Sequence, residues 1–270
     1  MNSGGWSLRL FDMVDTSALP LLSLAILNLS TCPIFGVHFT LSRGGVGGVH
    51  RIGDDVFAFG TQRKVFRRRG FRDWIELTTD KEHAYLYQDI VKWRKKGKKY
   101  RLAKGFRALD GFSVNDLYAG GSTGDLWRYD GEQWQRVDIP TNFEINAITC
   151  GGDGLVYVSG GGNLILKGRE DRWEFIEAER SGSYSYAVEI NSSAWFDGRL
   201  YVATDMGLFV IENDQLIEYQ FPDDGPHQYS FKNVVASKDC LVSYGLYQAL
   251  AFDGRTWGTI IDNPIFSGSQ

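Results

Sequence analysis

The stretch Asn115–Val137 reads NDLYAGGSTGDLWRYDGEQWQRV, and the fold assignment depends on its alternation of short apolar runs and turn residues. The run LYA predicts one strand, the glycines after it predict a turn, and Leu126–Tyr129 predicts a second strand. Asp130 and Gly131 form a strong hairpin signal, and Trp134 lies in the strand that follows. The stretch therefore predicts three antiparallel strands joined by tight turns.

Partial copies of this unit occur at 53–77, 154–176, 197–219 and 239–260, and a short apolar run precedes each of them. Every unit closes on a bulky apolar residue, and the five closing residues are Trp74, Trp134, Trp173, Leu216 and Trp257. Their separations are 60, 39, 43 and 41 residues, and an insertion at about 79–104 explains the long one. One repeat therefore holds three to four strands in about forty residues, which is the size of a propeller blade.

A single sheet of this size cannot bury both of its faces, so we expect the sheets to stack around an axis with a closing residue between neighbours. The prediction is an all-β fold, a β-propeller of five or six blades with seven as the upper alternative. The apolar runs LYAGG, VYVSGG and LYVAT are expected in the innermost strands, where the blades converge. The propeller covers 47–270, and residues 1–46 form an N-terminal apolar segment that is expected to supply part of a blade.

The chain resembles bacterial propeller proteins of the YVTN and kelch-like kind. Their repeat has an Asp, an apolar residue and Tyr-Ala before a glycine, and later Tyr-Asp-Gly before a tryptophan. Asn115–Trp134 matches this pattern closely and the other copies match it in part. The resemblance implies the fold and carries little information about function, because one fold supports many functions.

Residues 16–42 carry no Lys, Arg, Asp or Glu, which leaves three interpretations open: buried core, an export signal or anchor, and a misassigned start. A signal peptide needs a positively charged N-terminal region, but here Arg9 is outnumbered by Asp12 and Asp15, so the region is negative. Pro20 and Pro33 interrupt a membrane helix. We therefore expect buried core, no stable membrane insertion and a cytoplasmic protein. The alternative location is the periplasm, if residues 1–32 act as a signal.

Basic and acidic side chains are concentrated in different parts of the chain. Residues 63–107 carry 16 basic and 5 acidic side chains, whereas residues 108–270 carry 10 basic and 24 acidic ones.

The insertion at about 79–104 is short, basic and either helical or looped, and it is expected to lie between two blades. It is a candidate contact for a partner protein with an acidic surface. A solvated segment packed on the propeller rim is the alternative. The pI near 5.6 disfavours nucleic acid as a partner. The candidate partner-binding residues are Lys92, Arg94, Lys95, Lys96, Lys98, Lys99 and Arg101.

No pattern in the chain predicts catalysis, a metal or a cofactor. The three cysteines and four histidines lack metal-ligand spacing, and there is no nucleophile motif. Asp130, Asp153, Asp197 and Asp253 precede or stand in predicted hairpins, so we interpret them as turn residues. We therefore expect no catalytic residue, no metal ligand and no cofactor.

Two functions remain open. The first is a non-catalytic protein–protein binding module, in one form an immunity or accessory protein of a bacterial toxin or secretion system. The second is an exported propeller that binds or hydrolyses a carbohydrate through carboxylates dispersed over several blades.

Overall fold

The computed structural model describes residues 46–78, 105–121, 124–162, 164–178, 189–222, 231–246 and 248–262. These residues form five sheets, each built from an antiparallel meander of four strands. In blade 4 a short fifth strand pairs in parallel with the outermost strand of the meander. The predicted all-β fold is therefore confirmed, and the number of blades among the described residues is five.

The strands follow the chain without crossovers inside a blade. Blade 1 contains β1 (Val46–Ile52), β2 (Asp55–Gly60), β3 (Val65–Gly70) and β4 (Asp73–Glu76). Blade 2 contains β5 (Phe106–Ser113), β6 (Asp116–Gly121), β7 (Leu126–Tyr129) and β8 (Trp134–Val137). Blade 3 contains β9 (Ile145–Cys150), β10 (Val156–Gly160), β11 (Ile165–Arg169) and β12 (Arg172–Phe175). Blade 4 contains β13 (Glu177–Ala178), β14 (Ile190–Phe196), β15 (Arg199–Thr204), β16 (Leu208–Glu212) and β17 (Gln215–Glu218). Blade 5 contains β18 (Asn233–Ala236), β19 (Leu241–Tyr244), β20 (Gln248–Phe252) and β21 (Trp257–Asp262).

The first strand of each meander is innermost, because β1, β5, β9, β14 and β18 adjoin one another in that order. The runs LYAGG, VYVSGG and LYVAT lie instead in the second strands β6, β10 and β15, so their predicted innermost placement is wrong. A second strand is paired on both edges and covered on both faces, and every residue of β10 is accordingly buried. The innermost strands border a polar cavity, which explains why their sequences are less apolar.

The closing residues lie in the fourth strand of each meander, in β4, β8, β12, β17 and β21. Trp134 belongs to the core between blades 1 and 2, and its ring centroid is 5.7 Å from that of Phe106. Trp173 packs on the core between blades 2 and 3, and Leu216 belongs to the core between blades 3 and 4. Trp257 packs on the core between blades 4 and 5. In blades 2 to 5 the closing residue therefore fills the space toward the preceding blade.

The two ends of the propeller differ in their connections. In each blade the turns from first to second and from third to fourth strand lie at one end, which we call the hairpin face. The turns from second to third strand and the links between blades lie at the opposite end, the connector face. The insertion at 79–104 joins β4 to β5 and therefore leaves from the connector face, although the segment itself lies outside the described residues.

The hairpin face is built from the predicted turn chemistry. Asp130 accepts hydrogen bonds from the backbone N–H groups of Glu132 and Gln133, both at 2.9 Å. Asp253 makes the same turn in blade 5 with the N–H groups of Arg255 and Thr256. These carboxylates replace backbone hydrogen bonds that a tight turn cannot make.

We expect Gly160→Ala to destabilise the protein. Gly160 ends β10, and a Cβ there would collide with the backbone carbonyl of Glu144, the group that accepts the N–H of Gly161 at 3.2 Å. Because that carbonyl is backbone, relief requires a strand shift costing about 1–3 kcal/mol, measurable by urea unfolding. Gly161→Ala is the matched control, since a Cβ at Gly161 meets nothing within 4 Å. Equal stability of the two variants would contradict the packing described for β9 and β10.

Candidate functional site

A cavity of ≈ 510 Å³ opens on the connector face, and we call it the axial mouth. Each blade contributes at least one residue from the beginning of its innermost strand. Because all five blades meet there, the cavity lies on the propeller axis. Its volume is in the range of small-ligand sites. The lining residues are Gly47, Arg107, Asn146, Glu189, Asn191, Lys232 and Asn233.

In the half of the axial mouth formed by blades 2 and 3, the polar side chains bond to other groups of the protein, and we call this half the satisfied half. The Arg107 guanidinium lies 2.8 Å from the carboxylate of Glu144 and donates a hydrogen bond to Asn146 Oδ1 at 3.2 Å. Asn146 Nδ2 in turn donates to the backbone carbonyl of Ile190 in blade 4 at 3.0 Å. These contacts hold the side chains in place and use both the oxygen and the nitrogen of the Asn146 amide.

The half formed by blades 4 and 5 is more open. Glu189 is exposed, and within the described ranges its polar contact is the neutral amide of Asn146 at 3.4 Å. Asn191 Nδ2 donates to Asp205 at 3.0 Å, while Lys232 Nζ is 4.0 Å from the same carboxylate. The Asn233 side chain makes no hydrogen bond with any residue that the structure describes. Unused donors and acceptors are therefore concentrated in this half.

Polar side chains also join the innermost strands farther along the axis. His50 of β1 contacts Asp110 of β5 at 3.1 Å, and the same carboxylate accepts the backbone N–H of Cys150 in β9 at 2.7 Å. Thr149 hydrogen-bonds the Ser193 hydroxyl at 2.7 Å between blades 3 and 4. Ser192 donates to the Val234 carbonyl at 2.8 Å between blades 4 and 5. Side chains thus connect sheets that share no strand ladder.

The charge of His50 responds to this arrangement. Burial lowers the pKa of His50, but the charge of Asp110 and the hydrogen bond to it outweigh burial, so the pKa is raised. Protonated His50 therefore stabilises the junction of blades 1 and 2.

A partly buried ion pair joins blade 1 to blade 2 at the connector face. The Arg63 guanidinium lies 2.7 Å from the buried carboxylate of Asp125, which also accepts the indole N–H of Trp127 at 2.7 Å. Arg63 has a positive φ of 57°, so the turn between β2 and β3 directs this side chain toward the neighbouring blade at some conformational cost.

The described residues contain no group of three or more His, Cys, Asp or Glu side chains arranged to hold a metal ion. Burial raises the pKa of the Cys150 thiol, which keeps it protonated and unreactive. In the ranges described, no helix is both long enough and apolar enough to cross a membrane.

The candidate partner-binding residues predicted from the sequence lie outside the described residues, so their role stays a prediction. They are Lys92, Arg94, Lys95, Lys96, Lys98, Lys99 and Arg101. Sequence reasoning missed the axial mouth. The available signal was weak: Ile145-Asn146 and Ile190-Asn191 place an asparagine at the same position of two innermost strands.

The geometry defines a β-propeller with a polar cavity on its axis. No protein-family model matches the chain, so the resemblance to YVTN and kelch-like repeats stays a prediction. The chain is 33% identical over 218 residues to the Immune protein Tsi7 of Pseudomonas aeruginosa. The match covers 81% of this chain and 65% of that relative, so the chain spans somewhat less than two thirds of the relative's length.

Solved structures agree on the fold. Virginiamycin B lyase from Staphylococcus aureus superimposes with a TM-score of 0.54 at 12% identity, over 79% of this chain and 68% of the lyase. A catalytically inactive variant of that lyase with quinupristin gives the same TM-score and identity, over 82% of this chain and 71% of the other. At this identity the likeness supports the propeller fold alone.

We expect His50→Gln to cost more stability in acid than in base. Because the His50 pKa is raised in the folded state, its stabilisation is fully present below about pH 6.5 and is lost as the pH rises through the folded pKa. Since the pair is partly exposed, the difference is at most about 1 kcal/mol. Urea unfolding of both proteins at about pH 6 and pH 9 measures it. A cost that grows with pH would contradict the assignment of a protonated His50.

Proposed function

We propose that this chain is a non-catalytic binding protein with an immunity role, which binds a partner protein and blocks its action. The observation that carries the proposal is the 33% identity to an immune protein over 81% of the chain. In this proposal no residue of the chain performs chemistry, and the protein acts in the cytoplasm by occupying a surface of its partner.

The connector face is the surface best suited to this task. It carries the links between blades and the axial mouth, whereas the hairpin face consists of short turns. Loops on a rigid scaffold are the usual site of recognition. Phe143, which precedes β9, is 53% exposed there, and Leu246, in the turn after β19, is 69% exposed, whereas Phe71 is the exposed large apolar side chain in the described turns of the hairpin face. Exposed apolar groups beside polar ones are typical of protein contact surfaces.

We propose that the partner presents both an acidic patch and basic groups to this chain. The insertion at 79–104 carries the candidate contacts named above and favours an acidic patch on the partner. The remainder of the chain is strongly acidic and favours basic groups. Complementary fields of this kind accelerate association, which matters for a protein that must intercept its partner quickly.

The proposal is tested first by affinity capture from native cells, with the bound proteins identified by mass spectrometry. The captured partner is then produced in cells with and without this protein. We expect growth arrest that this protein relieves. Full growth of cells producing the partner alone, or arrest that this protein does not relieve, would contradict an immunity role.

Charge reversal tests the insertion. We expect changing Lys95, Lys96, Lys98 and Lys99 to Glu to slow association with the captured partner by about tenfold at low salt, because the variant loses the positive field that attracts an acidic patch on the partner. The matched control changes four exposed basic residues elsewhere to Glu: Arg136, Arg172, Lys238 and Arg255. Stopped-flow association rates measure both. Equal slowing in both variants, or slowing in neither, would show that the insertion is not the contact.

A further inference from the structure

We propose that the open half of the axial mouth binds a peptide loop of the partner that carries a lysine or arginine side chain. This inference rests on the proposed function and names the segment of the partner that enters the propeller. It depends on Glu189, Asn191, Lys232 and Asn233, which line the cavity beside blades 4 and 5.

The hydrogen-bonding groups match a peptide backbone. Asn191 uses its amide nitrogen on Asp205, and its Oδ1 has no partner among the residues described. Asn233 offers both a donor and an acceptor, and Lys232 offers ammonium protons. Alternating donors and acceptors are what peptide N–H and C=O groups need when they leave water. An apolar ligand would leave these groups unsatisfied.

The charges favour a basic side chain over an acidic one. Among the described residues around the mouth, two cations, Arg107 and Lys232, stand against three carboxylates, Glu144, Glu189 and Asp205, which leaves one excess negative charge. Arg107 and Glu144 neutralise each other. Lys232 has Asp205 within 4.0 Å, whereas among the described residues the polar contact of Glu189 is an amide at 3.4 Å. A cation from the ligand would therefore pair with Glu189.

The size of the cavity supports a loop. At ≈ 510 Å³ it holds a few residues and no folded domain. The satisfied half, with Arg107 bonded to Asn146 and Asn146 to Ile190, needs no rearrangement when a ligand enters. This half of the mouth is therefore preorganised, so that only the side chains of the open half need to be ordered when a ligand binds.

The test uses the full chain and two fluorescein-labelled peptides with blocked ends, Gly-Arg-Gly-Arg-Gly and Gly-Glu-Gly-Glu-Gly, followed by fluorescence anisotropy at low salt. We expect the arginine peptide to bind more tightly than the glutamate peptide. The double variant Glu189→Gln with Asn233→Ala should weaken the arginine peptide by about fivefold or more, because a charged contact and an amide contact are lost.

The matched control is Asp239→Asn, which removes one exposed negative charge on the hairpin face, in the turn between β18 and β19. It should change the affinity for the arginine peptide by less than about twofold. Equal affinity for the two peptides, equal weakening by the two variants, or weakening by neither would overturn the inference.

The captured partner separates this inference from the proposed function. If the partner binds the wild type and the double variant equally, the axial mouth is not the docking position, and the immunity role still stands. If no protein is captured by the wild type, the proposed function fails irrespective of the peptide results.

Discussion

Burial between neighbouring sheets is the constraint on which the structure depends. Each meander of four strands has two faces, and a single sheet cannot shield them both from water. The four clusters of buried residues accordingly lie between blades, not within them. The closing residues Trp134 and Leu216 belong to these clusters, so removing either would open a cavity that two blades share. Each blade is therefore stable because its neighbour is present.

Near the axis, the innermost strands of neighbouring blades are polar and share no ladder of backbone hydrogen bonds. Side-chain hydrogen bonds join them instead: Asp110 accepts hydrogen bonds from His50 and from the backbone of β9, and Ser192 connects β14 to β18. At the connector face the same kind of contact holds Arg107 and Asn146. The polar contacts that join the blades thus extend to the half of the axial mouth formed by blades 2 and 3.

Much of the fold could be predicted from the sequence, because local chemistry repeats every forty residues. Asp130 and Gly131 specify a hairpin, Trp134 specifies an outer strand with one buried aromatic side chain, and copies of this pattern imply stacked sheets. The apolar character of LYAGG predicts the innermost strand, and that prediction is wrong. The run is apolar because the second strand is covered on both faces by neighbouring blades, which a single repeat does not reveal. The axial mouth left no motif: Gly47, Arg107 and Asn146 differ in type and are brought together only by the ring.

Hydrogen–deuterium exchange of the full chain, alone and with the captured partner, tests whether the partner protein occupies the connector face of this propeller. We expect slower exchange at the beginnings of β9, β14 and β18 in the complex, with unchanged exchange in the turns around Asp130 and Asp253. Protection confined to those turns, with the strand beginnings unaffected, would contradict it.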